Sequence, residues 1–194
     1  MKKISFILSV ILIGYASNAQ VMHFGLKGGL NMASLANNEN NSIDNRIAYH
    51  AGLFANIPVS PQIAIQPEAV YSSQGAKYPF GNEKLNLNLN YVNIPVMVQA
   101  MVGKGFYGEA GPQLGFLTSV SDKINDTELG AVEKDDFKST DISLGVGLGF
   151  KGASGFGINT RYNFGLTNIN NAGTANIKNN VLQVGLTFQL GGSR

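Results

Sequence analysis

Three groups of residues in this 194-residue chain have types and spacing that could do chemistry. His50, Glu68 and Ser72 supply an imidazole, a carboxylate and a hydroxyl, the parts of an acyl-transfer triad. They fall on two consecutive segments of apolar/polar alternation, so they can approach one another. The same alternation puts His50 and Glu68 on the side away from the apolar face, whereas a nucleophile working on lipid must reach lipid. A histidine satisfied in a polar interior is the better reading. Asp122, Asp126, Glu128, Glu133, Asp135 and Asp136 offer oxygens to a Ca²⁺ ion, but without the spacing and central glycine of an EF-hand loop they read as a solvated acidic loop. Gly145-Val146-Gly147-Leu148-Gly149 begins like a phosphate loop, yet the third glycine of a dinucleotide fingerprint should stand at 150, which is Phe. Asn40-Asn41-Ser42 and Asn125-Asp126-Thr127 match glycosylation acceptors and are discounted for a chain of bacterial type. The expectation is a protein with no catalytic residues, no cofactor and no metal.

What positions these residues is a repeated period of two. From Ile142 to Phe150, Ile142, Leu144, Val146, Leu148 and Phe150 share one face while Ser143, Gly145, Gly147 and Gly149 share the other. About eight such segments occur, at 23 to 35, 47 to 57, 62 to 72, 84 to 102, 105 to 118, 140 to 151, 154 to 168 and 178 to 190. Their joins alternate between tight ones (58 to 61, 103 to 105, 152 to 153) and long ones (36 to 46, 73 to 83, 119 to 139, 169 to 177). Alternation of short turns with long loops predicts an all-β, eight-stranded antiparallel up-and-down transmembrane β-barrel, with the short turns and both chain ends in the periplasm.

The first residues give the compartment. Lys2 and Lys3 precede an apolar run from Ile4 to Ile13, and Ser17-Asn18-Ala19 is a small-residue cleavage site, so residues 1–19 read as a signal peptide for Sec export and 20–194 as the barrel domain, maturation leaving Gln20 first. The run is shorter than the ~20 apolar residues of a membrane helix. The chain has no cysteine for a lipid anchor or a disulfide. Of 14 basic residues, Lys2 and Lys3 leave with the signal, so the remaining 12 balance 12 acids. A neutral chain lacks the basic face of a nucleic-acid binder. Glycine at 24 residues and charge at 13% fit β structure and exclude a helical membrane protein. Export and a barrel together place the chain in the bacterial outer membrane.

The two faces of the strands differ in kind. Outward fall Phe24, Leu26, Leu30, Met32, Tyr49, Leu53, Ile63, Ile65, Val96, Val98, Leu114, Ile158, Val184 and Leu186; inward fall Asn31, His50, Gln66, Gln99, Gln113, Asn159, Asn163, Gln189 and six charged residues. Those six, Lys27, Lys151 and Arg161 against Glu68, Glu109 and Asp141, predict a balanced network in which each charge finds a partner, with Glu109 and Arg161 the best pair. Inward glycines such as Gly25, Gly145, Gly147 and Gly149 leave room for long polar neighbours in so narrow a barrel. Aromatic girdles are expected at Phe24, Phe106, Phe150, Phe156 and Phe188 near the short turns, and at Tyr49, Tyr71, Tyr91 and Phe116 near the long loops. Between Tyr91 and Val92 the apolar parity of the fourth segment changes, which predicts a β-bulge near Asn93 beside Pro95, with the Asn-Leu repeat upstream protruding as a hairpin.

Four segments together resemble the PorT family of bacterial outer-membrane β-barrels: Phe24-Gly25-Leu26-Lys27-Gly28-Gly29-Leu30-Asn31, Tyr91-Val92-Asn93-Ile94-Pro95, Gly111-Pro112-Gln113-Leu114-Gly115, and Arg161 through Ile169. The resemblance spans the mature chain and implies fold and location more than activity; founding members are associated with secretion. Residues 183–190, with Gln183, Gly185, Phe188 and Leu190 at the diagnostic positions, look like the terminal signal read by the barrel assembly machinery, although Gly191 to Arg194 follow it. The expected partners are outer-membrane lipid, that machinery during biogenesis, and an unidentified extracellular ligand or envelope protein. The chain is expected to be a monomer with a side-chain-filled lumen and a structural, accessory or loop-mediated binding role. The rivals are a lipid A-modifying hydrolase or acyltransferase, and a narrow diffusion channel.

Overall fold

A computed structural model describes residues 22–37, 44–80, 83–124, 127–130, 132–173 and 175–190. The expected signal peptide, Gln20 and the Gly191 to Arg194 extension lie outside these. The strands are β1 (His23–Asn37), β2 (Asp44–Pro58), β3 (Ile63–Phe80), β4 (Glu83–Val102), β5 (Phe106–Ile124), the two-residue β6 (Thr127–Glu128), β7 (Thr140–Lys151), β8 (Phe156–Gly165) and β9 (Ile177–Gln189). Every pairing is antiparallel, each long strand pairs with its sequence neighbours, and β9 pairs with β1 to close eight strands into a barrel to which β6 is appended at the edge of β5. Closure leaves no long edge unpaired, which a membrane-spanning sheet requires.

The alternation holds around the barrel. Phe24, Leu30, Leu53, Leu148, Ile158 and Leu186 are all exposed on the outside, whereas Asn31, His50, Glu68, Glu109 and Arg161 are buried within. Inward glycines make that interior possible. A Cβ on Gly149 would collide with the Tyr107 ring, one on Gly25 with the Phe54 ring, and one on Gly147 would stand 3.0 Å from Glu109 Oε1. Gly28 and Gly108, the two off-pattern glycines, are not crowded: a Cβ would meet only His50 O at 3.6 Å in the one and Leu148 Cδ2 at 3.9 Å in the other. At the short-turn end Phe106 stacks on Phe150 at 4.9 Å and Phe156 on Phe188 at 4.6 Å; at the opposite end Tyr49 meets Tyr71 at 6.2 Å.

Three features differ from the sequence expectation. Residues 73–80 are strand rather than loop: β3, β4 and β5 run 18, 20 and 19 residues, against the ~9–11 that cross a bilayer, and pairing continues to Phe80 opposite Glu83. Gly75 has φ +120 in this extension, and a side chain there would meet the backbone of Leu87. The bulge lies on β5, not on β4. Asn90 pairs with Ser119 and Tyr91 with Leu117, so Thr118 is the extra residue, its hydroxyl donating to Asn90 O at 2.9 Å; Pro95 sits in a regular stretch opposite Gln113. The odd positions of β4 therefore point inward throughout. Tyr91 is fully buried instead of joining the outer girdle, and Leu87 and Leu89 are buried with it.

Candidate functional site

The midpoint of the lumen is built around one guanidinium. Arg161, from β8 and 1% exposed, donates from Nε to Glu109 Oε1 at 2.8 Å and from both terminal nitrogens to Glu68, at 2.7 and 3.0 Å. The planar fork thus engages two carboxylates from β3 and β5 across the barrel, the geometry that suits arginine and not lysine. Lys27 of β1 donates to the same Glu68 at 2.8 Å. Two cations meet two anions, so this buried group is electrically neutral. Its outer lone pairs are used as well: Gln66 donates to Glu68 at 2.9 Å, Gln99 to Glu109 at 3.0 Å, and Asn56 Nδ2 lies 3.1 and 2.9 Å from the side-chain oxygens of those two glutamines. Saturation of this kind is what makes buried charge tolerable.

The other two charges of the expected six stand outside this group. Lys151 at the short-turn end donates to Gln189 Oε1 at 3.2 Å, and Asp141 at the long-loop end accepts from Thr167 at 2.8 Å and Asn179 at 3.3 Å. The expectation that every luminal charge meets an opposite one is corrected for these two: Asp141 and Lys151 lie at opposite ends of β7, and each is served by neutral groups. Above the ionic group a second polar chain fills the bore. His50 Nδ1 donates to Asn31 Oδ1 at 2.8 Å, Asn31 donates to Ser72 Oγ at 2.9 Å, Gln74 donates to the same oxygen at 2.8 Å, and Asn179 donates to Gln74. His50 and Ser72 are register partners, yet the amide of Asn31 stands in the hydrogen-bond path between them. Glu68 is committed to Lys27 and Arg161. The three residues are brought near one another without the histidine-to-hydroxyl and acid-to-histidine contacts of a triad.

At the long-loop end the bore is covered by an apolar cluster. Leu87, Leu89 and Tyr91 from β4 pack with Leu35, Ala76 and Leu117 and with two loop residues, Phe137 and Ile169. The loops are joined by their backbones: Phe137 bridges Asn170, Lys138 N donates to Ile169 O at 2.8 Å, and Asn171 N donates to Asp136 O at 2.9 Å. A 3-10 turn, Lys134–Asp136, closed by reciprocal bonds of Glu133 and Asp136, sets the approach to Phe137. Phe137 and Ile169 escaped the sequence reading because loops carry no periodicity from which burial can be inferred. At the short-turn end, Phe54, Tyr107, Lys151 and Gln189 surround a cavity of about 10 Å³, space for roughly one water. Of the acidic loop, Asp126 is outside the described residues, and no cluster of three metal-ligating side chains forms among the described ones. In β9, Gln183 and Gly185 are buried toward the lumen, and Leu190, one residue beyond the strand, is exposed.

No curated protein matches the chain. Solved structures share its fold: Neisserial surface protein A at 13% identity and TM-score 0.53, covering 86% of this chain and 97% of that one, and Ail, the attachment invasion locus protein of Yersinia pestis, at 11% identity and TM-score 0.53, covering 87% and 98%. Residues 18–171 match the family described as Outer membrane protein beta-barrel domain. An apolar belt facing outward, a polar bore and closure of eight strands agree with that match, and the chain belongs to this family of bacterial outer-membrane β-barrels.

Proposed function

We propose that this chain is a PorT-type, non-enzymatic outer-membrane barrel that works through its outer surface and extracellular end, as a structural or accessory component or by binding an extracellular ligand or another envelope protein. The observation that carries this reading is the bond set of Arg161, which ties β8 to β3 and β5 across the bore and leaves the lumen to side chains. The contacts of His50 with Asn31, and of Ser72 with two amides, favour it over a lipid-modifying enzyme. Export by a signal ending at Ala19, recognition of residues 183–190 by the assembly machinery, and a monomeric state belong to the same proposal. Planar bilayers containing the purified protein test its central part: no steady ion current is expected. His50→Ala should leave the lipid A of expressing cells unaltered relative to wild type. A stable conductance, or a lipid A product lost with His50, overturns the reading.

A further inference from the structure

On the outward face of β4 and β5 the side chains change character row by row. Val92 opposes Phe116 at the top of the apolar belt; beyond it Asn90 opposes Ser119, Asn88 opposes Ser121 and Asn86 opposes Lys123, and the last row continues onto β3 as Lys77. Each row is two residues further along a tilted strand, about 5 Å along the membrane normal. The polar rows therefore start where hydrocarbon ends and rise roughly 15 Å through the headgroup layer. The Thr118 bulge makes this face. Were Thr118 paired regularly and not bulged, alternation from Phe116 would turn Val120 and Asp122 outward in place of Ser119 and Ser121.

The amides are held in place. Asn90 Nδ2 donates to Ser119 Oγ at 2.9 Å and Asn88 Nδ2 to Ser121 Oγ at 3.2 Å, which leaves each amide a carbonyl oxygen and a second N–H. Lys77 and Lys123 flank Asn86 about 10 Å apart, two strand spacings, and neither forms an ion pair with a described side chain. Asp44 and Glu128 are their register partners on the far flanks. From the bilayer outward the face thus presents apolar contact, fixed amide and hydroxyl groups, and then a row in which Lys77 and Lys123 stand on either side of Asn86, between the register positions of Asp44 and Glu128.

We propose that this face binds the headgroup of a phosphorylated glycolipid of the outer leaflet, its acyl chains against Val92 and Phe116, its sugar hydroxyls on the Asn88 and Asn90 rows, and a sugar phosphate on Lys77 and Lys123. Continuity with the lipid-facing belt selects a membrane lipid as occupant, and fixed donors lower the ordering cost of binding. The site is independent of whether the lumen conducts.

The test places the barrel in nanodiscs containing either rough-type lipopolysaccharide or phosphatidylglycerol at equal charge, and counts lipids retained in native mass spectra after release into detergent. Wild type should retain the lipopolysaccharide and lose the phosphatidylglycerol, and millimolar inorganic phosphate should not displace it. Asn88→Ala with Asn90→Ala, and separately Lys77→Gln with Lys123→Gln, should each lower retention about tenfold, the effect of losing roughly two net hydrogen bonds. Heat-dependent gel mobility checks that the variants fold, and Ser119→Ala with Ser121→Ala probes the same rows if the asparagine pair does not. Equal retention of both lipids, displacement by phosphate, or unchanged retention in folded variants of either set overturns the proposal.

Discussion

Arg161 holds three of the interior's charge contacts, and its neighbours do not share the load equally. Removing Glu109 leaves the guanidinium its two bonds to Glu68, whereas removing Glu68 strips both Lys27 and one side of Arg161. Breaking a buried pair costs ~3–5 kcal/mol because the surviving charge is stranded. Glu68→Gln should therefore lower the urea midpoint of the folded, fast-migrating band further than Glu109→Gln. Arg161→Ala should exceed the Glu109 variant also, since it removes three charge contacts where the loss of Glu109 removes one. Adding Glu109→Ala to Arg161→Ala restores neutrality, with Lys27 against Glu68, and should recover part of the loss. Equal midpoints for the Glu68 and Glu109 variants would mean that the bonds to Glu68 add no stability. Strand parity and mid-strand position were enough to pair Glu109 with Arg161 from the sequence. They could not show that the fork also spans to Glu68, because parity fixes the face of a residue and not its height or its angle around a tilted barrel.

The number of strands and their faces within the apolar belt were legible for a plain reason: a barrel wall one residue thick exposes each side chain either to lipid or to the bore, and period two records which. The Asn-Leu repeat misled because above the apolar belt the rule inverts. There the outside leaves the hydrocarbon for a polar surrounding and takes Asn86, Asn88 and Asn90, while the inside must bury Leu87, Leu89 and Tyr91 beneath the loops. The apparent break in β4 is thus the crossing from hydrocarbon to a polar surrounding on an unbroken strand, and the true irregularity, Thr118, lies on the partner, where sequence alone gives no sign. Within the belt the simple rule should hold in energy as well. Val146, 46% exposed at the centre of β7, should cost about 2–4 kcal/mol when changed to Arg, measured by unfolding in lipid vesicles. A neutral outcome would contradict a lipid-facing position. The same topology predicts that an epitope at Asn171 is labelled on intact cells and one at Lys104 is not.

Along the whole bore the obstructions lie in series. On the closed-lumen reading proposed above, the apolar cluster at Phe137 and Ile169 covers the long-loop mouth and the ionic group around Arg161 blocks the middle. On that reading each would suffice by a different physics, since an ion crossing an apolar cap, or passing fixed charges already held by hydrogen bonds, meets a large desolvation cost. Phe137→Ala should destabilise the cap, by ~3–5 kcal/mol for a buried Phe truncation, and make the two joined loops more sensitive to external protease, yet bilayers should stay silent because the middle remains shut. Arg161→Ala with Glu109→Ala empties the middle but leaves the cap, so it too should carry no steady current. Only the triple variant removes both barriers, and it should show small, open-state conductance. Current through the Phe137 variant alone would show that the ionic group is a wet constriction and not a plug. A silent but folded triple variant would show that the remaining polar chain, from His50 through Asn31 and Ser72 to Asn179, is itself the seal.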